Sequence, residues 1–179
     1  DYEQPFEQSI AARAKREHVP PEALVYDLML EREGRNNLYV TLCNYERGSL
    51  DSSLEMMRHP GAVLGLGDGG AHCGTICDGS YPTFMLTHWV RDRTRGERLP
   101  LATVVKWLCR DTARAVGLED RGILAPGFKA DINVIDVDRM RLHAPEVARD
   151  LPSGVRRLVQ RAEGYAATIV GGTIVHRNG

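Results

Sequence analysis

One stretch of the chain sets a carboxylate and an imidazole among glycines: Gly65-Leu66-Gly67-Asp68-Gly69-Gly70-Ala71-His72. Asp68 and His72 are groups that can move protons or hold a cation. The glycines remove side chains that would crowd a ligand, and they tolerate positive φ. Asp-Gly is also a common turn signal, so Asp68 reads on pattern alone either as a site residue or as the cap of a turn or helix. The apolar run Ala62 to Leu66 before it reads as a buried parallel strand, which places Asp68 at a strand's carboxyl end. Reactive groups in parallel β/α proteins gather at that end.

The loop from Gly69 to Ser80 reads as substrate-facing lining, with His72 and Thr75 as the substrate-binding candidates. His72, Cys73 and Cys77 are also zinc-ligand types, but no second paired motif accompanies them. Cys73 as a nucleophile has no identifiable partner base. His59 and His88 read as packing or surface residues, and Phe84, Trp89 and Trp107 as core. Tyr81 is a weaker candidate for a pocket rim.

The elements that would position these residues follow from apolar spacing. Phe6, Ile10 and Ala14 mark a helix from Pro5 to His18, and Leu24, Val25, Leu28 and Met29 mark a second between Pro21 and Gly34. Residues 37–42 alternate as a strand ending near Cys43. Ser49 caps a short helix through Met57, and further helices open at Tyr81-Pro82 and at Pro100 and stop at Gly117. After about Asp120 the period becomes two: residues 130–136 read as a strand, and Tyr165 to Val170 and Thr173 to His176 flank Gly171-Gly172 as a hairpin. Residues 137–164 are polar and carry no clear pattern. The expected division is an α/β part over 1–118 and a β part over 119–179.

With 179 residues, 42% of them hydrophobic, the chain can bury a core, which argues against disorder. A formal net charge of −1 offers no basic surface for nucleic acid and no anchor for a membrane. The run Arg91-Asp92-Arg93-Thr94-Arg95 reads as a solvated helix end. No apolar run approaches the roughly 20 residues of a membrane span, and the four cysteines lack a disulfide framework. The expectation is a soluble, cytoplasmic protein with reduced thiols.

Several segments together resemble the carboxy-terminal part of metal-dependent amidohydrolases. They are Val63 to Gly69, Tyr81-Pro82-Thr83-Phe84, Thr112 to Leu118, and Asp120-Arg121-Gly122-Ile123-Leu124-Ala125-Pro126-Gly127-Phe128-Lys129-Ala130-Asp131. The loop Asp68-Gly69-Gly70-Ala71-His72 is similar to that of the D-aminoacylase branch, the N-acyl-D-amino-acid deacylases. The resemblance implies a (β/α)8 barrel with a zinc-dependent site, of which residues 1–118 would be the last βα units. Residues 119–179 would be part of a small β-sandwich. It also implies Asp68 as general base toward a zinc-activated water and then as acid toward the leaving nitrogen, with a secondary part as a weak metal ligand. The family's His-x-His pair and its further ligands have no counterpart in this chain, and catalytic zinc usually takes three protein ligands.

The expectation is therefore a piece of a zinc hydrolase cleaving the amide of an N-acyl-D-amino acid, with zinc in the full-length parent and none held stably by this chain. In place of the branch's His-Pro-Arg-like stretch the chain has His72-Cys73-Gly74-Thr75-Ile76-Cys77-Asp78, which leaves a cyclic or other non-peptide amide as the alternative substrate. The alternative of another class is a non-catalytic module. It would self-associate as a homo-oligomer through open sheet edges, because two buried-type strands cannot close a parallel sheet.

Overall fold

In the computed structural model, which describes residues 2–41, 43–65 and 72–177, helices fall between residues 6 and 115 and paired strands between 132 and 177. The chain divides into two units, Asp1–Pro60 and Gly61–Gly179.

The first unit is helical. Helix α1 (Ile10–Glu17) starts where the Ser9 side chain accepts the Ala12 N–H at 3.1 Å, and it stops where His18 turns left-handed at φ 55°. Lys15 and Arg16 in its last turn suit the negative end of the helix dipole. Helix α2 (Pro21–Gly34) opens on a proline that needs no N–H partner, and its helical geometry gives out at Glu31. Ala14 and Leu24 are the buried residues of α1 and α2, while Met29, expected on the apolar face, is exposed. Helix α3 (Asp51–Arg58) buries Leu54, and the Glu3 carboxylate accepts the N–H of its N-cap residue, Leu50, at 2.7 Å. Glu3 is only 1% exposed, and the start of a helix is where a buried carboxylate finds unpaired donors.

Residues 37–41 do not form the strand that their alternation predicts. Leu42 lies outside the described residues. A strand exists only through a ladder, and among the described residues no neighbouring strand pairs with this segment, so Tyr39 and Val40 stay exposed. The Tyr39 hydroxyl instead meets that of Tyr45 at 2.8 Å, and burial, then that bond, pushes the Tyr45 phenol up. Residues 62–65 likewise join no strand ladder among the described residues, and Val63 is exposed.

In the second unit the helix opening at Tyr81 is α4 (Tyr81–Phe84), running straight into a π-helical segment, Met85–Asp92. Met85, Leu86, Thr87, His88 and Trp89 are all buried, so this helix is enclosed on every side. His88 stacks on Phe84, with ring centroids 4.9 Å apart. Arg93, expected in solvent, is buried: its guanidinium lies 4.6 Å from the Trp89 ring centroid and donates to the Glu97 carbonyl at 2.9 Å. Arg91 is turned inward too, donating to the Val137 carbonyl at 2.6 Å. Long side chains that cover apolar surface and reach carbonyl acceptors need not sit in water.

Helix α5 (Leu101–Lys106), the π-helical segment Trp107–Asp111 and α6 (Thr112–Ala115) form one continuous rod. Its Val104 and Ala113 are buried, but Trp107 is only half-buried. The chain returns against this rod at Gly122, whose φ is +84° and where a Cβ would lie 2.8 Å from the Cys109 carbonyl oxygen. The Gly-Ile-Leu element thus has a physical reason for its glycine.

The strands then follow: β1 (Ile132–Ile135), β2 (Arg141–Leu142), β3 (Glu146–Ala148), β4 (Arg157–Val159), β5 (Ala162–Glu163), β6 (Tyr165–Val170) and β7 (Thr173–Arg177). A three-stranded antiparallel sheet has the order β1-β6-β7, with β2 paired to β5 and β3 to β4. The β6–β7 hairpin turns on Gly171-Gly172 as expected, with φ of 55° and 82° at the two positions. An ion pair and a hydrogen bond brace the smaller ladders: Arg157 grips both oxygens of Asp150 at 2.8 and 2.7 Å, and His143 Nε2 meets the Glu163 carboxylate at 2.7 Å. The architecture is a mixed α/β arrangement of helices and small sheets. Among the described residues there is no closed barrel, and no helix is long and apolar enough to cross a membrane.

Two outcomes follow from this packing. Gly122→Ala combines a left-handed backbone with a backbone clash and should cost about 2–4 kcal/mol. Gly171→Asn, in open space with a φ that Asn tolerates, should cost less than about 1 kcal/mol. Urea unfolding midpoints of the two variants check the ordering. The Arg157 hydrogen bonds hold the Asp150 carboxyl below its ordinary range, so the pair's contribution is present at neutral pH and lost as pH falls through that lowered value. In a carboxyl NMR titration, Arg157→Met should return Asp150 upward toward about 3.9.

Candidate functional site

Asp68 lies outside the described residues, as does all of 66–71. The described part of the candidate loop begins at His72, in left-handed geometry at φ 53°. A histidine held there turns the chain sharply, and the His72 carbonyl collects the N–H of Thr75 at 2.8 Å and of Ile76 at 2.9 Å. The Thr75 hydroxyl donates to the same oxygen at 3.2 Å. The two substrate-binding candidates are thereby joined in one turn, and both side chains are exposed. Cys73, Ile76 and Cys77 are half-buried, which gives the loop an outer and an inner face.

The loop's ends are fixed from the β part. The Cys73 carbonyl accepts the Leu158 N–H at 2.6 Å. At the other end the Ser80 hydroxyl donates to Gln160 Oε1, and Gln160 Nε2 donates to the His143 carbonyl at 2.7 Å. Three residues further on, the buried Thr83 hydroxyl meets the Tyr165 hydroxyl at 2.7 Å. Leu158, Gln160 and Tyr165 are residues that sequence reasoning missed. Leu158 and Gln160 sit in the stretch 137–164, where strands of two or three residues leave no periodicity to read.

The thiol chemistry weighed for this loop is not supported by its surroundings. All four cysteines are free, and burial, then the Asp78 charge, pushes the Cys77 thiol up and so away from the thiolate that attacks or ligates. Among the described residues no group of three from His, Cys, Asp and Glu comes together as a metal ion would require. The zinc that the family resemblance implies therefore finds no fitting donor set among them. Tyr81 is half-buried at the start of α4. His59 caps the end of α3 in the first unit, and Trp107 belongs to the helical rod.

Two curated proteins, from two strains of Desulfitobacterium hafniense, each bear the name 5-methylthioadenosine/S-adenosylhomocysteine deaminase. Each is 31% identical to this chain over 97 residues, or 54% of this chain. The chain spans about a fifth of the length of these relatives, the match covering 22% of each. No solved structure matches. A family model described as the amidohydrolase family matches residues 17–176, which takes in the candidate loop, the helical rod and the β part. On that match the chain belongs to the amidohydrolase family.

Proposed function

We propose that this chain serves a hydrolase that cleaves a C–N bond in a small molecule at a cyclic or other non-peptide carbon. The observation that carries this reading is the family match, which runs through the Asp68 loop to residue 176. The relatives named 5-methylthioadenosine/S-adenosylhomocysteine deaminase favour deamination at a ring carbon over cleavage of an N-acyl chain.

Asp68 is the residue assigned to proton transfer. Its carboxylate takes a proton from the attacking water as the new C–O bond forms, then gives it to the leaving nitrogen as the C–N bond breaks. On a cyclic amide this one group performs both halves and the proton count closes; on an amino-substituted ring the new hydroxyl's remaining proton passes to the ring nitrogen as the carbonyl forms, a second transfer. His72 and Thr75, exposed on one turn, are assigned to substrate contact.

The second reading is N-acyl-D-amino-acid deacylation, favoured by the loop Asp68-Gly69-Gly70-Ala71-His72. Against it, residues 73–80 contain no arginine to hold a substrate carboxylate.

In its full-length natural context the protein should hydrolyse cyclic amides or amino-substituted heterocycles. There Asp68→Asn should lower kcat by about 10²–10⁴-fold, the usual worth of a positioned proton carrier. Undiminished turnover would remove Asp68 from the mechanism. Turnover confined to N-acyl-D-amino acids on the same panel would select the second reading. For the 179-residue chain on its own, metal analysis after desalting should find well under one zinc per copy. A stoichiometric zinc resistant to brief chelation would show a ligand set that the described residues do not contain.

A further inference from the structure

We propose that β4 and Gln160 form a clasp that holds the 72–80 loop by both ends, with Gln160 as a positioning residue for the outward-facing His72 and Thr75. This rests on the reading of that loop as substrate-facing. The Leu158 N–H leaves the β3–β4 pair free on its other edge and is taken by the Cys73 carbonyl at 2.6 Å, so the loop docks on β4 as a further strand would. Two residues along, the Gln160 side chain takes the Ser80 hydroxyl. The direction of that bond is fixed by chemistry. Gln160 Nε2 is committed to the His143 carbonyl at 2.7 Å, which turns Oε1 toward Ser80 and makes Ser80 the donor.

The clasp accounts for the loop's two faces. Pinned at Cys73 and Ser80, the loop keeps Cys73, Ile76 and Cys77 half-buried and leaves His72 and Thr75 exposed. The two pins come from neighbouring positions, Leu158 in β4 and Gln160 just beyond its end. Thr83 to Tyr165 at 2.7 Å repeats the same tie one helical turn later and keeps α4 from swinging away. A loop without such ties would sample many conformations and present its side chains to a ligand only part of the time, weakening apparent affinity.

The thiols Cys73 and Cys77 are built-in reporters of the inner face, and the exposed Cys43 is an internal control. Alkylation by iodoacetamide at each cysteine, followed by mass spectrometry on the 179-residue chain, reads the clasp directly. In Gln160→Leu, Cys73 and Cys77 should react about fivefold faster, the scale of one lost hydrogen bond, with Cys43 unchanged. Gln160→Glu keeps an acceptor for Ser80 while giving up the bond to His143, and it should restore the slow rates. Ser80→Ala should match Gln160→Leu, and it decides the matter if the leucine variant does not fold. Unchanged thiol rates in Ser80→Ala, or equal acceleration at all four cysteines, would overturn the clasp. The substrate-facing reading fails separately: His72→Ala and Thr75→Ala would then leave KM unaltered in the active full-length protein, whatever the thiols report.

Discussion

The guanidinium of Arg93 buried on the indole of Trp89 is the contact around which the second unit is organised. A cation excluded from water costs several kcal/mol unless its donors are used and its charge is met by something polarisable. Arg93 meets both conditions locally, with the Trp89 ring at 4.6 Å and the Glu97 carbonyl at 2.9 Å. A desolvated cation–π pair is worth about 2 kcal/mol, so ring and hydrogen bonds together are needed to hold it inside. The arrangement works only if the chain beyond Asp92 folds back, and the Leu99 N–H donating to the Trp89 carbonyl at 2.7 Å fixes that return. Helix α5 begins two residues later, so the course of the following rod is set by how one arginine is accommodated.

The same helix transmits this rigidity toward the candidate loop. With Met85 to Trp89 buried on all sides, the Tyr81–Asp92 helix has little freedom to rotate, and its first turn carries Ser80 and Thr83 to fixed places. The β part needs that support. Strands of two or three residues make few ladder bonds, and isolated pairs of that size are marginal in water. Their exposed ion pairs are screened by water and add little. Fully buried Met140 beside β2, the ties from Ser80 and Thr83, and Arg91 on the Val137 carbonyl supply what the short ladders lack. The loop and the short strands thus stabilise each other.

Features decided by neighbours in sequence were legible, and features decided by neighbours in space were not. The hairpin at Gly171-Gly172 is local, since two residues of positive φ between alternating strands leave few other outcomes. The helix starts at Pro21, Tyr81 and Leu101 are local in the same sense. Residues 37–41 and 62–65 carry strand-forming side chains yet join no ladder among the described residues, because a strand needs a partner edge that composition cannot announce. Arg93 and Glu3 were hidden for the opposite reason. A charged residue reads as surface until an indole ring or a helix N-terminus makes its burial tolerable. Of the candidate site, the sequence showed the loop and its likeness to a family. It could not show Gln160, whose importance lies in facing Ser80 across 80 positions of chain.

This division bears on how the chemistry is shared. A carboxylate can shuttle a proton only when water and the scissile carbon are held within hydrogen-bond reach of it, and that depends on the loop that follows as much as on the acid. In this chain the ties at Cys73 and Ser80 are made by backbone, hydroxyl and amide groups, which carry no net charge. A lysine or arginine in place of Gln160 could also hold Ser80 through its long stem and donors. It would also bring a charge to the loop, and a cation lowers the pKa of any acid within its reach. A neutral glutamine holds Ser80 and the His143 carbonyl at once without adding a charge, because its amide offers an acceptor and a donor side by side.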